Sequence, residues 1–302
     1  MTDVLITGGY SMLGRSTAKC FREHGLSTKQ LSHDECDLCN FDATQFMFTK
    51  YDPTYCIHCA GYNGNIQFNA KYPADIFNRT ARMALNVLEC CHKYNVVKTV
   101  SLISSCAYPD TDILREDNFW GGKPNDSVDA HGLSKRIILE YGKQLYKQHG
   151  LISVGMICNT VYGPYDSYNI EKTKVAGAVI KKIVDAHKVK AKSVIFWGDG
   201  TPRREFIYCD DVARCCYQVL LNYNDTTLPI NVGTGTDTSI KELVADVVDI
   251  VGYQGDIVWD TSKPNGQMRK QLDVTKMKSL FGVEFTPLQE GLTRTIEWYK
   301  NV

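Results

Sequence analysis

The N-terminal sequence reads Asp3-Val4-Leu5-Ile6-Thr7-Gly8-Gly9-Tyr10-Ser11-Met12-Leu13-Gly14. A short apolar run thus ends in a glycine-rich turn, and an amphipathic segment follows it to about His24. In a strand–turn–helix unit of this kind, the backbone N–H groups at the helix N-terminus can bind a pyrophosphate. The turn residues that we expect to contact a dinucleotide are Gly8, Tyr10, Ser11, Met12, Leu13 and Gly14.

Beyond this turn, apolar and amphipathic segments alternate along the chain. The apolar segments lie near residues 27–31, 55–59, 99–103 and 151–158, and the amphipathic ones near 40–51, 73–94 and 130–149. Buried strands separated by helices indicate a parallel sheet that is covered on both faces. The pattern therefore predicts an α/β fold, a Rossmann doubly wound parallel sheet, over residues 1–163.

The pattern changes in the second half of the chain, where turn-rich, charged segments surround a basic helix predicted near residues 174–186. Residues 164–302 are predicted to form mainly a smaller C-terminal α/β substrate lobe, with later segments returning to the first domain. A cleft between the two lobes is the expected binding site.

Composition limits the partners. The chain has 302 residues, and its 34 acidic residues balance its 34 basic ones, so no net charge favours nucleic acid or an anionic membrane. No apolar run approaches the length of a membrane-spanning helix. We therefore expect a soluble, cytoplasmic protein.

The twelve cysteines include two pairs, Cys36 with Cys39 and Cys56 with Cys59, at a spacing seen in zinc sites. Cys56 and Cys59 fall on a predicted buried strand, where side chains three residues apart point to opposite faces. The four sulfurs are therefore not expected to converge on a metal, and we interpret them as core cysteines of a reducing compartment.

Chemically reactive side chains concentrate between Ser104 and Lys135. A hydroxyl, Ser104, and a thiol, Cys106, follow one predicted strand, and His131 precedes Lys135 by one helical turn. This combination indicates an acid/base site.

Several segments together resemble the GDP-L-fucose synthase family, the GDP-4-keto-6-deoxy-D-mannose 3,5-epimerase-4-reductases of the extended short-chain dehydrogenase/reductase superfamily. The segments that carry the resemblance are Thr7-Gly8-Gly9, Tyr72-Pro73-Ala74-Asp75, Ser104-Ser105-Cys106-x-Tyr108-Pro109, Lys135, Tyr162-Gly163-Pro164, Trp197-Gly198-x-Gly200-x-Pro202-x-Arg204-x-Phe206, Asn231-Val232-Gly233-Thr234-Gly235 and Gly266-x-x-Arg269-Lys270. The resemblance implies a Rossmann domain for NADP, a lobe for a GDP-sugar and a homodimer.

The resemblance also implies roles for individual residues. Ser104 would hydrogen-bond the sugar C4 oxygen, Cys106 would move the proton at C3 or C5, and Lys135 would bind the nicotinamide ribose. His131 and Lys174 would take part in the same chemistry. The residues implied to bind the GDP-sugar are Lys182, Trp197, Arg204 and Arg269.

The sequence departs from the family at four positions. His131 replaces the tyrosine that protonates the C4 oxygen, and Lys174 replaces the histidine that partners Cys106 in epimerisation. Thr160 replaces an asparagine, and Ser11 replaces the middle glycine of the turn. Imidazole titrates near ~6.5 and phenol near ~10, so His131 beside an ammonium is expected to be mostly neutral at pH 7.

The departures leave alternatives open. Tyr10 and Leu31 stand where the family has arginines for the 2′-phosphate, and Asp34 is placed like a ribose-binding acid, so NAD is an alternative to NADP. The activity is GDP-L-fucose formation, or a reduction-only or epimerisation-only reaction on another GDP-sugar. A catalytically impaired homologue that only binds a nucleotide sugar is the non-enzymatic alternative.

Overall fold

The computed structural model describes residues 2–169, 172–263, 265 and 267–302. The strands are β1 (Thr2–Thr7), β2 (Thr28–Gln30), β3 (Pro53–His58), β4 (Lys98–Ser104), β5 (Ile113–Leu114), β6 (Ile152–Cys158), β7 (Thr160–Tyr162), β8 (Ser193–Trp197), β9 (Arg203–Arg204), β10 (Phe206–Tyr208), β11 (Ile230–Val232), β12 (Thr238–Ser239), β13 (Asp256–Asp260) and β14 (Arg269–Leu272). The α-helices are α1 (Met12–Glu23), α2 (Phe41–Tyr51), α3 (Ile66–Lys71), α4 (Pro73–Lys93), α5 (Asp129–His149), α6 (Val175–Lys188), α7 (Cys209–Asn222), α8 (Ile240–Val251), α9 (Thr275–Leu280) and α10 (Leu288–Lys300).

Six strands form the central sheet in the order β2-β1-β3-β4-β6-β11, and every pair in it is parallel. This confirms the predicted doubly wound α/β fold. The chain winds to one side of β1 with β2 and to the other side with β3 and the strands after it. In open α/β sheets, ligands bind at the carboxyl edge beside such a reversal. The glycine turn after β1 lies at this edge.

Both faces of the sheet are covered because its strands are apolar on both sides. Successive residues of β1 enter different cores: Val4 and Ile6 pack into the core that contains α1 and α7 residues, whereas Leu5 packs into the core that contains α2, α4 and α5 residues. The helices on each face also contact one another, α1 with α7 and α4 with α5. This two-sided packing fixes the sheet edge that carries the polar residues.

The smaller sheets lie mainly in the second half of the chain. One has the order β12-β9-β14-β5, and β8 pairs with β13 in parallel. The chain crosses between these layers, because β11 belongs to the six-stranded sheet while the early strand β5 pairs with β14. The division at residue 163 stays a prediction.

Within the described residues, no helix is long and apolar enough to span a bilayer. Their cysteines, with aspartates, glutamates and histidines, form no group of three or more that could hold a metal ion. Cys36 and Cys56 lie in the core beside α2 and α4, as expected for core cysteines, whereas Cys39 and Cys59 are only partly buried.

Candidate active site

Ser104 is the last residue of β4, and a single 3₁₀ turn, Ser105–Ala107, follows it. The Ser104 hydroxyl accepts a hydrogen bond from the Cys106 N–H at 3.2 Å, which caps this turn. A strand that ends directly in a capped turn places the Cys106 thiol at the carboxyl edge of the sheet. Cys106 is partly exposed there.

Helix α5 packs against this turn and brings His131 and Lys135 to it. Gly132 is required at the contact, because a Cβ built there would collide with the carbonyl oxygen of Cys106. His131 is buried, and its Nδ1 has no hydrogen-bond partner among the described residues. Lys135 Nζ donates to the Leu102 carbonyl at 2.9 Å. The structure therefore brings together Ser104, Cys106, His131 and Lys135, as the sequence predicts.

Burial and charge together perturb both basic groups on α5. Burial lowers the pKa of His131 well below its usual value, and the positive charges of Lys135, Lys174 and Lys270 lower it further. Burial likewise lowers the pKa of Lys135 to about 8, and Lys174 adds to the shift. His131 is therefore neutral at pH 7, as expected from the sequence.

Strands β9 and β14 supply two more cations. They pair in parallel with Arg203 opposite Arg269 and Arg204 opposite Lys270. Because side chains alternate along a strand, each pair occupies its own face. Lys270 Nζ lies 3.5 Å from the Cys106 sulfur. Burial lowers the pKa of Arg204, and the charge of Cys106 opposes that shift, so Arg204 also lies within electrostatic range of the thiol.

The other pair faces away from the thiol and toward Asp237. Arg203 Nε donates to Asp237 Oδ1 at 2.7 Å, and Arg269 Nε donates to Oδ2 at 2.6 Å. Arg269 also donates to Gln271 at 2.8 Å. The guanidinium of Arg269, predicted to bind substrate, is thus engaged by protein groups in this structure.

The pKa of Cys106 is set by competing effects. Burial alone would raise it, but the charge of Lys270, the hydrogen bond with Ser104 and the charge of Lys174 lower it below the usual value for a thiol. The other described cysteines with a resolved shift have raised pKa values, with burial as the first cause; they are Cys20, Cys36, Cys39, Cys59, Cys90, Cys91, Cys158, Cys209, Cys215 and Cys216. Cys106 differs because cations surround it.

Lys174 is the exposed N-cap residue of α6. It lies close enough for its charge to act on Cys106, His131 and Lys135. The structure therefore brings Lys174 into the electrostatic field of the same site.

Lys182, on α6, and Trp197, at the end of β8, have different neighbours: the Lys182 ammonium lies over the Phe196 ring, and Lys263 lies over the Trp197 ring. Lys182 Nζ donates to the Ile195 carbonyl at 2.9 Å, and burial lowers its pKa. Trp197, at the end of β8, is 57% exposed. An exposed indole can contact a planar ring, and an ammonium can bind a phosphate.

The glycine turn fits a dinucleotide. Gly8 has φ +60°, which favours glycine, and a Cβ on Gly14 would collide with the Gly8 carbonyl oxygen. Ser11 replaces the middle glycine and acts as the N-cap of α1, accepting the Gly14 N–H at 3.1 Å. The N–H groups of Met12 and Leu13, in the first turn of α1, have no intrahelical acceptor and remain available to an anion.

Sequence reasoning missed the roles of Lys270 and Asn159. The Asn159 side chain accepts from the Ser105 hydroxyl at 3.1 Å and donates to the Lys270 carbonyl at 2.8 Å, so it joins the thiol turn to β14. The available signal was the Arg269-Lys270 pair itself, which the resemblance includes. Only the strand register shows which of the two faces Cys106.

These features define a dinucleotide-binding α/β protein with an acid/base site at the carboxyl edge of its sheet. The model of the NAD dependent epimerase/dehydratase family matches residues 4–233. A GDP-L-fucose synthase from Dictyostelium discoideum is 31% identical over 98% of this chain and 94% of that protein. The chain belongs to the NAD dependent epimerase/dehydratase family and, within it, to the GDP-L-fucose synthases and their relatives.

Solved structures agree. A GDP-L-fucose synthetase from Naegleria fowleri bound to NADP has a TM-score of 0.91, 26% identity, and coverage of 99% of this chain and 94% of that one. A GDP-6-OMe-4-keto-L-xylo-heptose reductase from C. jejuni has a TM-score of 0.93, 25% identity, and coverage of 99% and 98%. The chain is therefore similar over nearly its whole length to enzymes of this class.

Proposed function

We propose that this chain is an NADP-dependent epimerase/reductase that converts GDP-4-keto-6-deoxy-D-mannose to GDP-L-fucose. The observation that carries the proposal is the convergence of Ser104, Cys106, His131 and Lys135 at the carboxyl edge of β4. A hydroxyl donor, a thiol of lowered pKa and a neutral imidazole are the groups needed to move protons next to a ketone and onto its oxygen. The NADP-bound relative from Naegleria supports the choice of cofactor.

In epimerisation, Cys106 takes a proton from the sugar carbon next to the 4-keto group. Ser104 donates a hydrogen bond to the keto oxygen, which stabilises the negative charge that develops there. Lys174 supplies the proton on the opposite side of the carbon. The exposed stem of Lys174 positions that proton less firmly than an imidazole ring would.

For the reduction, the glycine-turn residues and Lys135 would hold NADPH, which would supply hydride to C4. His131 would donate a hydrogen bond to the C4 oxygen as a neutral imidazole, because its pKa is too low for an imidazolium at pH 7, and the Lys135 ammonium, whose pKa is lowered to about 8, would supply the proton that this oxygen takes up. The His131 Nδ1 is buried without a hydrogen-bond partner among the described residues, which costs about 1–3 kcal/mol. Burial and the charge of Lys135 keep the imidazole neutral, and Lys135 would also hold the cofactor ribose.

Lys182, Trp197, Arg204 and Arg269 are proposed to bind the GDP moiety. For Arg269 this requires that the guanidinium exchange Asp237 or Gln271 for a phosphate. The glycine-turn residues, with Gly8, Met12 and Leu13 at its two ends, would hold the pyrophosphate of the cofactor. The homodimer and the cytoplasmic location stay predictions.

The direct test incubates the protein with GDP-4-keto-6-deoxymannose and NADPH in D₂O. The proposal requires NADPH oxidation together with deuterium incorporation at C3 and C5, and NADH serves as the control for cofactor choice. Absence of both signals would reject it. Thermal stabilisation by GDP or NADP without turnover would instead favour a homologue that only binds nucleotide sugars.

A sibling reaction is the second candidate, and His131 is the observation that favours it. The imidazole is shorter than the phenol it replaces, so a different sugar would have to approach it to accept its proton. The similar C. jejuni protein is named as a reductase of another GDP-4-keto sugar. Mass spectrometry of any nucleotide that co-purifies with the chain separates the two candidates.

A further inference from the structure

Lys270 makes the closest cationic contact with Cys106 that the described structure contains. We propose that Lys270 holds Cys106 as a thiolate through this ammonium–sulfur contact. The contact thereby sets the fraction of molecules in which Cys106 is ready to accept a proton. Its catalytic consequence rests on the proposed function, whereas the thiolate itself does not.

The position of Lys270 is fixed from two sides. Its strand pairs with β9, so that Lys270 lies opposite Arg204. Its carbonyl accepts the Asn159 side chain at 2.8 Å, and Asn159 also accepts from Ser105, the residue before Cys106. The backbone that carries the ammonium is therefore tied to the turn that carries the thiol. From this position Nζ lies 3.5 Å from the sulfur.

No acidic side chain competes for this ammonium within the described residues. The one hydrogen bond that Lys270 Nζ makes there is to Cys106. Asp110 lines the same cleft, but its carboxylate accepts the amide groups of Asn125 at 2.7 Å and Gln267 at 2.8 Å. A cation whose nearest acceptor is a thiol, and not a carboxylate, stabilises the thiolate form of that thiol.

The other charged and titratable groups around Cys106 come from different elements. Ser104 precedes it on its own turn, His131 belongs to α5, Lys174 caps α6, and Arg204 lies on β9. His131 is neutral, and Lys174 is exposed to solvent, which screens its charge. Lys270 therefore has the strongest effect on Cys106, which agrees with its place as the largest charge contribution to the lowered pKa.

The proton transfer balances with Lys270 unchanged. The thiolate forms an S–H bond as the C–H bond beside the keto group breaks, and the electron pair moves to the keto oxygen. Lys270 keeps its three protons and acts through Cys106 as a positioning residue. Removing its charge should therefore lower the thiolate fraction without removing the thiol.

The experiment measures iodoacetamide alkylation of Cys106 against pH by peptide mass spectrometry. Trypsin releases residues 99–115, in which Cys106 is the only cysteine. In Lys270→Met the midpoint of the profile should rise by one pH unit or more, which lowers the alkylation rate at pH 7 about tenfold. Lys270→Arg should keep the low midpoint. Lys276→Met, which removes a similarly half-buried ammonium from α9, should not change it.

An unchanged midpoint in Lys270→Met, or a larger shift in Lys174→Met, would overturn the proposal. Deuterium exchange on GDP-4-keto-6-deoxymannose is measured on the same samples. A shifted alkylation profile without exchange in the wild-type chain would reject the proposed function and leave the thiolate inference standing. Exchange in the wild type with an unchanged alkylation profile in Lys270→Met would reject the thiolate inference and leave the proposed function standing.

Discussion

Strands β9 and β14 carry two cations on each of their faces, and the two faces use them differently. On one face, Arg203 and Arg269 share the nearly buried carboxylate of Asp237, whose side chain is 7% exposed. On the other face, Arg204 and Lys270 make no salt bridge within the described residues, and Lys270 contacts a thiol instead. The first face holds the strands together, and the second keeps its positive charge available for chemistry.

The largest effect should follow removal of the Cys106 thiol, which Lys270 contacts. Cys106→Ser replaces an acid of lowered pKa by an alcohol, so the chain loses its base for C3 and C5. General base catalysis contributes roughly 10²–10⁴-fold, and we expect a loss of this size in deuterium exchange. Cys39→Ser, another partly exposed thiol, is the control and should retain exchange. Retained exchange in Cys106→Ser would end the assignment of the base.

Acid should weaken the fold because two buried histidines resist protonation. Burial lowers the pKa of His58 to about 3, and burial lowers that of His131 well below 6.5. Below about pH 6.5 the unfolded chain binds protons that the folded chain does not, so the free energy of unfolding decreases as the pH is lowered. With a folded-state pKa of about 3, His58 should cost about 2 kcal/mol between pH 6.5 and pH 5, and His131 should add a loss in the same direction.

Urea denaturation across this pH range checks the acid prediction. His131→Gln should remove about one proton from the pH dependence of the free energy of unfolding. His187→Gln, at an exposed position on α6, serves as the control for substituting a histidine. An identical slope in His131→Gln and the wild type would contradict a neutral His131.

Neutralising Asp237 should affect stability and leave the chemistry almost unchanged. Burial raises the pKa of Asp237, but the bonds from Arg203 and Arg269 lower it below its usual value overall. Asp237→Asn should cost about 1–2 kcal/mol, because water can still reach the half-exposed arginines. In the wild type this stabilisation is present at neutral pH and is lost as the pH falls through the lowered pKa of the folded state.

Urea denaturation measures this effect, with Asp249→Asn on α8 as an exposed control. Because Arg269 is proposed to bind the GDP moiety, exchange is measured with saturating sugar nucleotide; under that condition, exchange at C3 and C5 per folded molecule should change less than about threefold. A tenfold loss of exchange with unchanged stability would show that the two faces are not separate in function.

The smallest effect is expected at His131, on α5. His131→Tyr restores a longer donor, and we expect NADPH oxidation with the 4-keto sugar to rise by a few-fold, up to about tenfold. The assay follows NADPH consumption, and Leu133→Tyr, at an exposed site on the same helix, is the control. A decrease in His131→Tyr would instead indicate that the site is built around an imidazole.

The sequence predicts the sheet and the helices around it because their signals are local. Short, continuous apolar runs place β4 and β6, and the glycine turn places the start of α1. The observed bounds differ by one or two residues, as where β3 begins at Pro53 rather than near Tyr55. Strand ends depend on the ladder to a neighbour, which the local sequence does not contain.

The site is predictable only in part, for a related reason. Ser104 and Cys106 lie at one strand end, and His131 and Lys135 on one helical face, so their spacing already indicates proximity. Lys270 is more than 160 positions from Cys106 in the sequence. Which face of β14 carries Lys270 depends on the register between β9 and β14. A one-residue slip would exchange Lys270 with Arg269. Sequence alone does not fix that register.

Asn159 has a consequence for engineering this class of enzyme. Its side chain joins Ser105, which follows a strand of the large sheet, to the Lys270 carbonyl in a small one. A chimera that takes its substrate-binding half from a relative would inherit β14 from one parent and Asn159 from the other. Recombination that separates residue 159 from β14 should therefore misplace the cation beside Cys106 even where both halves fold, so the two are best transplanted together.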